Sequence, residues 1–154
     1  MRWWVYLHVA GAFLFVAAHG VSMFVSFRLR KERDAARVSA LLQASLSGLW
    51  LFYGALVLLL TGGIVAGFLG HWWGTRWIWT AIGILVATTV FMYAVATPYY
   101  KKVRAVTEAL EGGSEAVTPE EYARLLDSPR PIVLAVVGTA ALLVILWLMV
   151  LKPF

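Results

Sequence analysis

Four stretches of this chain, residues 3–27, 38–75, 77–100 and 131–151, contain no Asp, Glu, Lys or Arg. Each reaches the ~20 residues that an α-helix needs to cross a ~30 Å hydrocarbon layer. In lipid a backbone must satisfy its own hydrogen bonds, and helices do so within the segment. The runs therefore predict an all-α integral membrane four-helix bundle, one domain over residues 1–154, with spans at about 3–27, 40–69, 76–98 and 131–151. Residues 99–130 form the long connection and should hold short helices. A composition of 62% hydrophobic and 14% charged residues fits no ordinary soluble domain. The first run is far longer than the ~7–15 apolar residues of a cleaved signal peptide and has no basic tract before it. With no cysteine, disulfides and thiolate metal sites are excluded.

The charges report topology. Arg28, Arg30, Lys31, Arg33 and Arg37 follow the first run, Lys101, Lys102, Arg104, Arg124 and Arg130 lie between the third and fourth, and all eight acids share these two segments. Four spans place both segments on one side, so the positive-inside rule puts the N- and C-termini outside a bacterial plasma membrane. The net charge of +5 is thereby accounted for without a nucleic-acid partner.

Along the chain, Trp3, Trp4 and Tyr6 suit an outer aromatic belt. The first helix should continue past Phe27 into the basic run, which has no Gly or Pro to stop it. The second span repeats a four-three spacing in Gln43, Ser47, Trp50, Gly54, Val57 and Thr61, with Gly62, Gly63 and Gly67 thinning its outer half, and the third repeats it in Thr80, Gly83, Ala87, Val90, Ala94 and Thr97. Small and weakly polar residues at that spacing predict seams where helices approach closely. Beyond Pro98, residues 101–111 can continue as a surface helix ended by Gly112-Gly113. Thr118-Pro119-Glu120-Glu121 is a capping box with proline at the first helical position, so residues 119–126 should be a short amphipathic helix. The fourth span, rich in Leu, Val and Ile, reads as the most lipid-exposed.

Titratable groups within the spans are restricted to histidine and tyrosine. His8, Ala12, Phe15, His19, Ser22 and Ser26 step by four and three along one face of the first helix, and that face must meet protein. Neutral imidazole is a common metal and heme ligand inside helix bundles. His8 and His71 are expected near the outer surface, where they would bracket one b-type heme. The porphyrin would lie among Gly11, Ala12, Phe15 and Gly67, with Arg76, Trp72 and Trp73 serving its propionates. His19 lies deeper, as an alternative ligand or part of a second site shared with another copy of the chain. Copper at His8 and His71 is a weaker option, since Met149 is the one methionine near that surface. No carboxylate or lysine in the spans supports a proton relay, and no catalytic residue is identifiable.

Tyr6-Leu7-His8-Val9-Ala10-Gly11, followed by a helix ending in Phe27-Arg28-Leu29-Arg30, resembles the first helix of small bacterial membrane proteins grouped around copper-resistance protein D and the HemJ-type protoporphyrinogen oxidases. Arg76-Trp77-Ile78-Trp79-Thr80-Ala81 is similar to the start of their third. The resemblance implies heme ligation by a first-helix histidine, matched by His8. Those oxidases carry a lysine in the third helix, and residues 77–100 have none. The function expected is heme b binding with electron transfer. The alternatives are a cofactor-free accessory subunit of a membrane complex, or a copper-handling membrane protein. The partners expected are the bilayer and a second copy or a complex partner.

Overall fold

The computed structural model describes residues 1–114 and 116–154, and among them it has five α-helices and no strand. These are α1 (Arg2–Lys31), α2 (Ala35–Leu69), α3 (Arg76–Glu111), α4 (Pro119–Leu126) and α5 (Arg130–Leu151), with a short 3₁₀ turn, Trp72–Gly74, between α2 and α3. Four helical segments are long and apolar enough to cross a membrane: α1, α2, α3, and the stretch Pro119–Leu151 that contains α5. The chain packs as two antiparallel pairs, α1 with α2 and α3 with α5, which meet mainly along α2 and α3. Both termini and the 3₁₀ turn lie at one end, the terminal end. The α1–α2 turn, α4 and the start of α5 lie at the other, the loop end.

At 30, 35 and 36 residues, α1, α2 and α3 are longer than a bilayer requires. Their surplus length is used at the loop end, where Val25, Leu29, Val38, Leu42, Tyr99, Val103, Tyr122 and Leu126 form one buried cluster. Most polar groups there are paired, although Tyr99 Oη has no hydrogen-bond partner among the described residues. Thr107 Oγ1 lies 3.0 Å from Tyr122 Oη, Ser26 Oγ lies 2.6 Å from Tyr100 Oη, and Arg33 Nη2 donates to both carboxylate oxygens of Asp127 at 2.9 and 3.0 Å. The capping box is present: Thr118 Oγ1 accepts from the Glu121 N–H, and Glu121 Oε2 accepts from the Thr118 N–H, both at 3.2 Å.

One expectation is sharpened and two are corrected. Residues 101–111 do continue as a helix ended at Gly112, and that helix is α3 itself, unbroken through Pro98 to Glu111. Proline removes one N–H, but Tyr99, Val103 and Thr107, four apart and all buried, lock the following turns into the loop-end core. The seams on α2 and α3 face outward. Gln43, Ser47, Trp50, Gly54, Val57 and Thr61 are exposed, as are Thr80, Gly83, Ala87, Val90 and Ala94, and a Cβ at Gly54 or Gly83 would meet nothing within 4 Å. Ser47 and Thr80 donate to carbonyls one turn back in their own helices, at 3.2 and 3.0 Å, so these hydroxyls need no partner helix. Finally, α5 is no mere lipid-facing helix: it buries Leu134, Ala135, Gly138 and Leu148.

Candidate functional site

The closest helix approach in the molecule explains His8. On α2, Gly62 faces the α1 backbone so tightly that a Cβ there would stand 2.6 Å from His8 N. On α1, Gly11 faces α2 in the same way, 2.5 Å from Leu59 N. Gly63 leaves room for the imidazole itself, since a Cβ at that position would lie 2.7 Å from His8 Nδ1. The ring uses that room to donate from Nδ1 to the Leu59 carbonyl at 2.8 Å. This bond fixes the tautomer and leaves Nε2 with the lone pair.

His71 is elsewhere. It is exposed, sits in the left-handed region (φ 55°, ψ 34°) and caps the 3₁₀ turn. It follows the end of α2, and His8 is level with Gly62 and Gly63, so the two histidines differ by about 10 Å along the helix axis at 1.5 Å per residue. The space expected for a porphyrin is filled. Backbone contact occupies it at Gly11, and at Gly67 the indole of Trp73 comes within 3.2 Å of where a Cβ would be. Arg76 is exposed at the start of α3. Around it the terminal end is held by aromatic contacts: Lys152 Nζ lies 4.2 Å from the Trp72 ring centre, and Trp79 Nε1 donates to the Trp73 carbonyl at 2.9 Å. A heme bracketed by His8 and His71 therefore does not fit this packing.

His19 is the histidine with a buried, unpartnered ring nitrogen. Its Nε2 is buried and has no hydrogen-bond partner among the described residues, a condition shared only with Arg30 Nε, Trp73 Nε1 and Tyr99 Oη. Of these four atoms, His19 Nε2 alone is an imidazole nitrogen able to ligate a metal. It faces α5 at Gly138, where a Cβ would lie 2.9 Å from it and would overlap the Met92 methyl. The imidazole of α1 and the methyl end of a methionine of α3 thus lie against one glycine of α5. Gly138 borders a partly open cavity of about 70 Å³, to which all four spans contribute through residues that include Phe15, Phe52, Thr88, Thr89 and Ala141. That is room for an ion or a few small atoms, well under the ~300 Å³ at which ligand pockets of ordinary size begin.

The notable missed feature is Met92. It lies mid-span, one residue from the exposed Tyr93, and no periodicity marks it. Gly138 was legible as a small residue, but a glycine does not say which side chains it clears space for. No group of three or more His, Cys, Asp or Glu side chains that could hold a metal ion occurs among the described residues.

No curated protein and no solved structure matches this chain. The likeness to copper-resistance protein D and the HemJ-type oxidases therefore remains a resemblance carried by short segments. Residues 3–153 match the family model described as "Predicted integral membrane protein (DUF2269)", and the chain belongs to that family of multi-pass membrane proteins.

Proposed function

We propose that this protein binds a single soft metal ion, reduced copper by its chemistry, within the membrane at His19 and Met92, and serves in copper handling. One observation carries this reading: a buried imidazole nitrogen with no partner lies against the same glycine as the methyl end of the Met92 thioether. A buried unpaired polar group costs a few kcal/mol, so such an atom suits a ligand. Thioether with imidazole, and no carboxylate at hand, selects Cu(I) over Mg²⁺, Ca²⁺ or Mn²⁺. Met23, one turn along α1 from His19, adds a second thioether nearby; its Sδ accepts from Thr139 Oγ1 at 3.7 Å. A b-type heme is not favoured, because the cavity is too small and the His8 region is closed.

The test is competition for Cu(I) between the full chain in mild detergent and a chromophoric chelator. Wild type and His8→Ala should each bind about one equivalent, and His19→Ala should bind at least about 100-fold more weakly. Equal binding by wild type and His19→Ala would overturn the reading. So would a reduced b-type heme band in the purified protein. A second reading, an accessory subunit of a membrane complex, is favoured by the outward seams of α2 and α3. It predicts co-purifying subunits lost on Gly54→Leu or Gly83→Leu.

A further inference from the structure

At the terminal end an ammonium group sits on a pair of indoles. Lys152 Nζ lies 4.2 Å from the centre of the Trp72 ring and 5.6 Å from that of Trp77, and the two rings are 6.0 Å apart with their planes at 56°. Both rings are fixed from behind. A Cβ at Gly70 would stand 2.6 Å from Trp72 Cε2, so this indole lies against bare backbone, while Trp77 is 3% exposed in a buried cluster with Ile78, Ala81 and Leu148. The turn that carries Trp72 is closed by Thr75, whose hydroxyl donates to the Trp72 carbonyl at 2.6 Å. Lys152 forms no salt bridge among the described residues, so the indoles are what its charge meets.

The segment that brings the ammonium there is lightly held. Lys152, Pro153 and Phe154 are all exposed, and the backbone tie from this segment to α3 is a long one, from the Trp77 N–H to the Phe154 oxygen at 3.3 Å. Lys152 itself is in the left-handed region (φ 46°, ψ 57°), which costs a residue with a Cβ about as much as an exposed cation–π contact returns. The indole pair is thus a rigid receptor with an occupant held near balance. It lies where α2 ends and α3 begins, at the edge of the spans, which is the level of lipid headgroups.

We propose that Trp72 and Trp77 form a recognition site for a quaternary alkylammonium group, which displaces Lys152 from the rings. Tryptophan faces converging on one cation are a means by which proteins recognise quaternary ammonium. The exchange favours the outside cation on chemical grounds. A lysine ammonium is compact and strongly hydrated, and its three N–H donors find no acceptor on an indole face, whereas a quaternary ammonium has no N–H to leave unsatisfied. The same group is carried by a lipid headgroup at this level and by a free amine in the water above it.

The experiment is titration of the full chain in maltoside detergent with tetramethylammonium, read by saturation-transfer NMR, beside native mass spectrometry with equimolar phosphatidylcholine and phosphatidylglycerol. A lysine that holds the rings about half the time halves the apparent affinity, so Lys152→Ala should bind tetramethylammonium about twofold more tightly than wild type. Adding Trp72→Leu to Lys152→Ala should weaken that binding about two- to fivefold. A preference for phosphatidylcholine that Trp72→Leu removes assigns the ammonium to a headgroup, and tetramethylammonium binding without a lipid preference assigns it to a free amine. Absence of tetramethylammonium binding from both wild type and Lys152→Ala overturns the site. So does binding unchanged by Trp72→Leu, or equal binding by wild type and Lys152→Ala. If Trp72→Leu fails to fold, the comparison of wild type with Lys152→Ala, a change at an exposed residue, still decides.

Discussion

The loop end and the middle of the bundle are built from the same helices by opposite rules. At the loop end Leu29, Val38, Val103 and Leu126 are almost fully buried, and the polar groups Thr107, Tyr122, Ser26 and Tyr100 are hydrogen-bonded in pairs. In the middle, around His19, a glycine faces two side chains, a cavity remains and a ring nitrogen has no partner. The difference teaches where this fold gets its stability and where it keeps a site. Surplus helix length outside the hydrocarbon supplies the packed core, and this leaves the membrane section free to hold an unsatisfied ligand.

Truncation should show the contrast most strongly. Leu126→Ala removes a fully buried side chain and should destabilise by about 2–5 kcal/mol, whereas Leu142→Ala at the cavity wall should cost clearly less, because its neighbours already face empty space. Chemical denaturation in a fixed detergent measures both, and equal losses would erase the distinction. Gly138→Val comes next. The added carbons meet His19 and Met92, with an overpacking cost of about 1–3 kcal/mol and loss of Cu(I) binding. The denaturation midpoint and the chelator competition read those two effects separately.

Much of this architecture was legible. Charge-free runs mark the spans, and Thr118 with Glu121 announces α4, because each rests on a local rule. The outward turn of the Gly54 and Gly83 seams was not legible, since periodicity defines a face without saying what the face meets. What holds α3 together past Pro98 was not legible for a related reason: the missing N–H is local, while the packing of Tyr99, Val103 and Thr107 that carries α3 onward is tertiary. His19 was visible as an imidazole in a span. Its pairing with Met92 depends on three helices meeting at Gly138, which no spacing in one segment records. His8 and His71 were joined by an assumed common depth that the length of α2 beyond Gly63 does not allow.

Smaller effects sharpen the loop-end half of the comparison. Thr118→Ala removes the cap of α4 and should cost about 1 kcal/mol, seen as earlier hydrogen exchange in Pro119–Leu126 before any global loss. Burial pushes the Tyr122 hydroxyl above its ordinary value, with the Thr107 hydrogen bond pulling the other way. A phenol whose folded value is raised gives a contribution that is complete below the unfolded value near pH 10 and is lost as pH rises through the folded one. The loop end should therefore loosen only above about pH 10, and Tyr122→Phe should flatten that dependence. Glu32, held below its ordinary range by the Arg33 and Asp34 N–H groups, works in the other direction. Its contribution is present above the unfolded value near pH 4.5 and fades as pH falls through the folded one.

The most direct measurement is X-ray absorption at the copper edge of the full chain loaded with one equivalent of Cu(I) in mild detergent. The account predicts one imidazole nitrogen with one or two thioether sulfurs in the coordination shell, the nitrogen disappearing in His19→Ala and a sulfur in Met92→Leu. A shell of nitrogen and oxygen alone, or a spectrum unchanged by both substitutions, would contradict it.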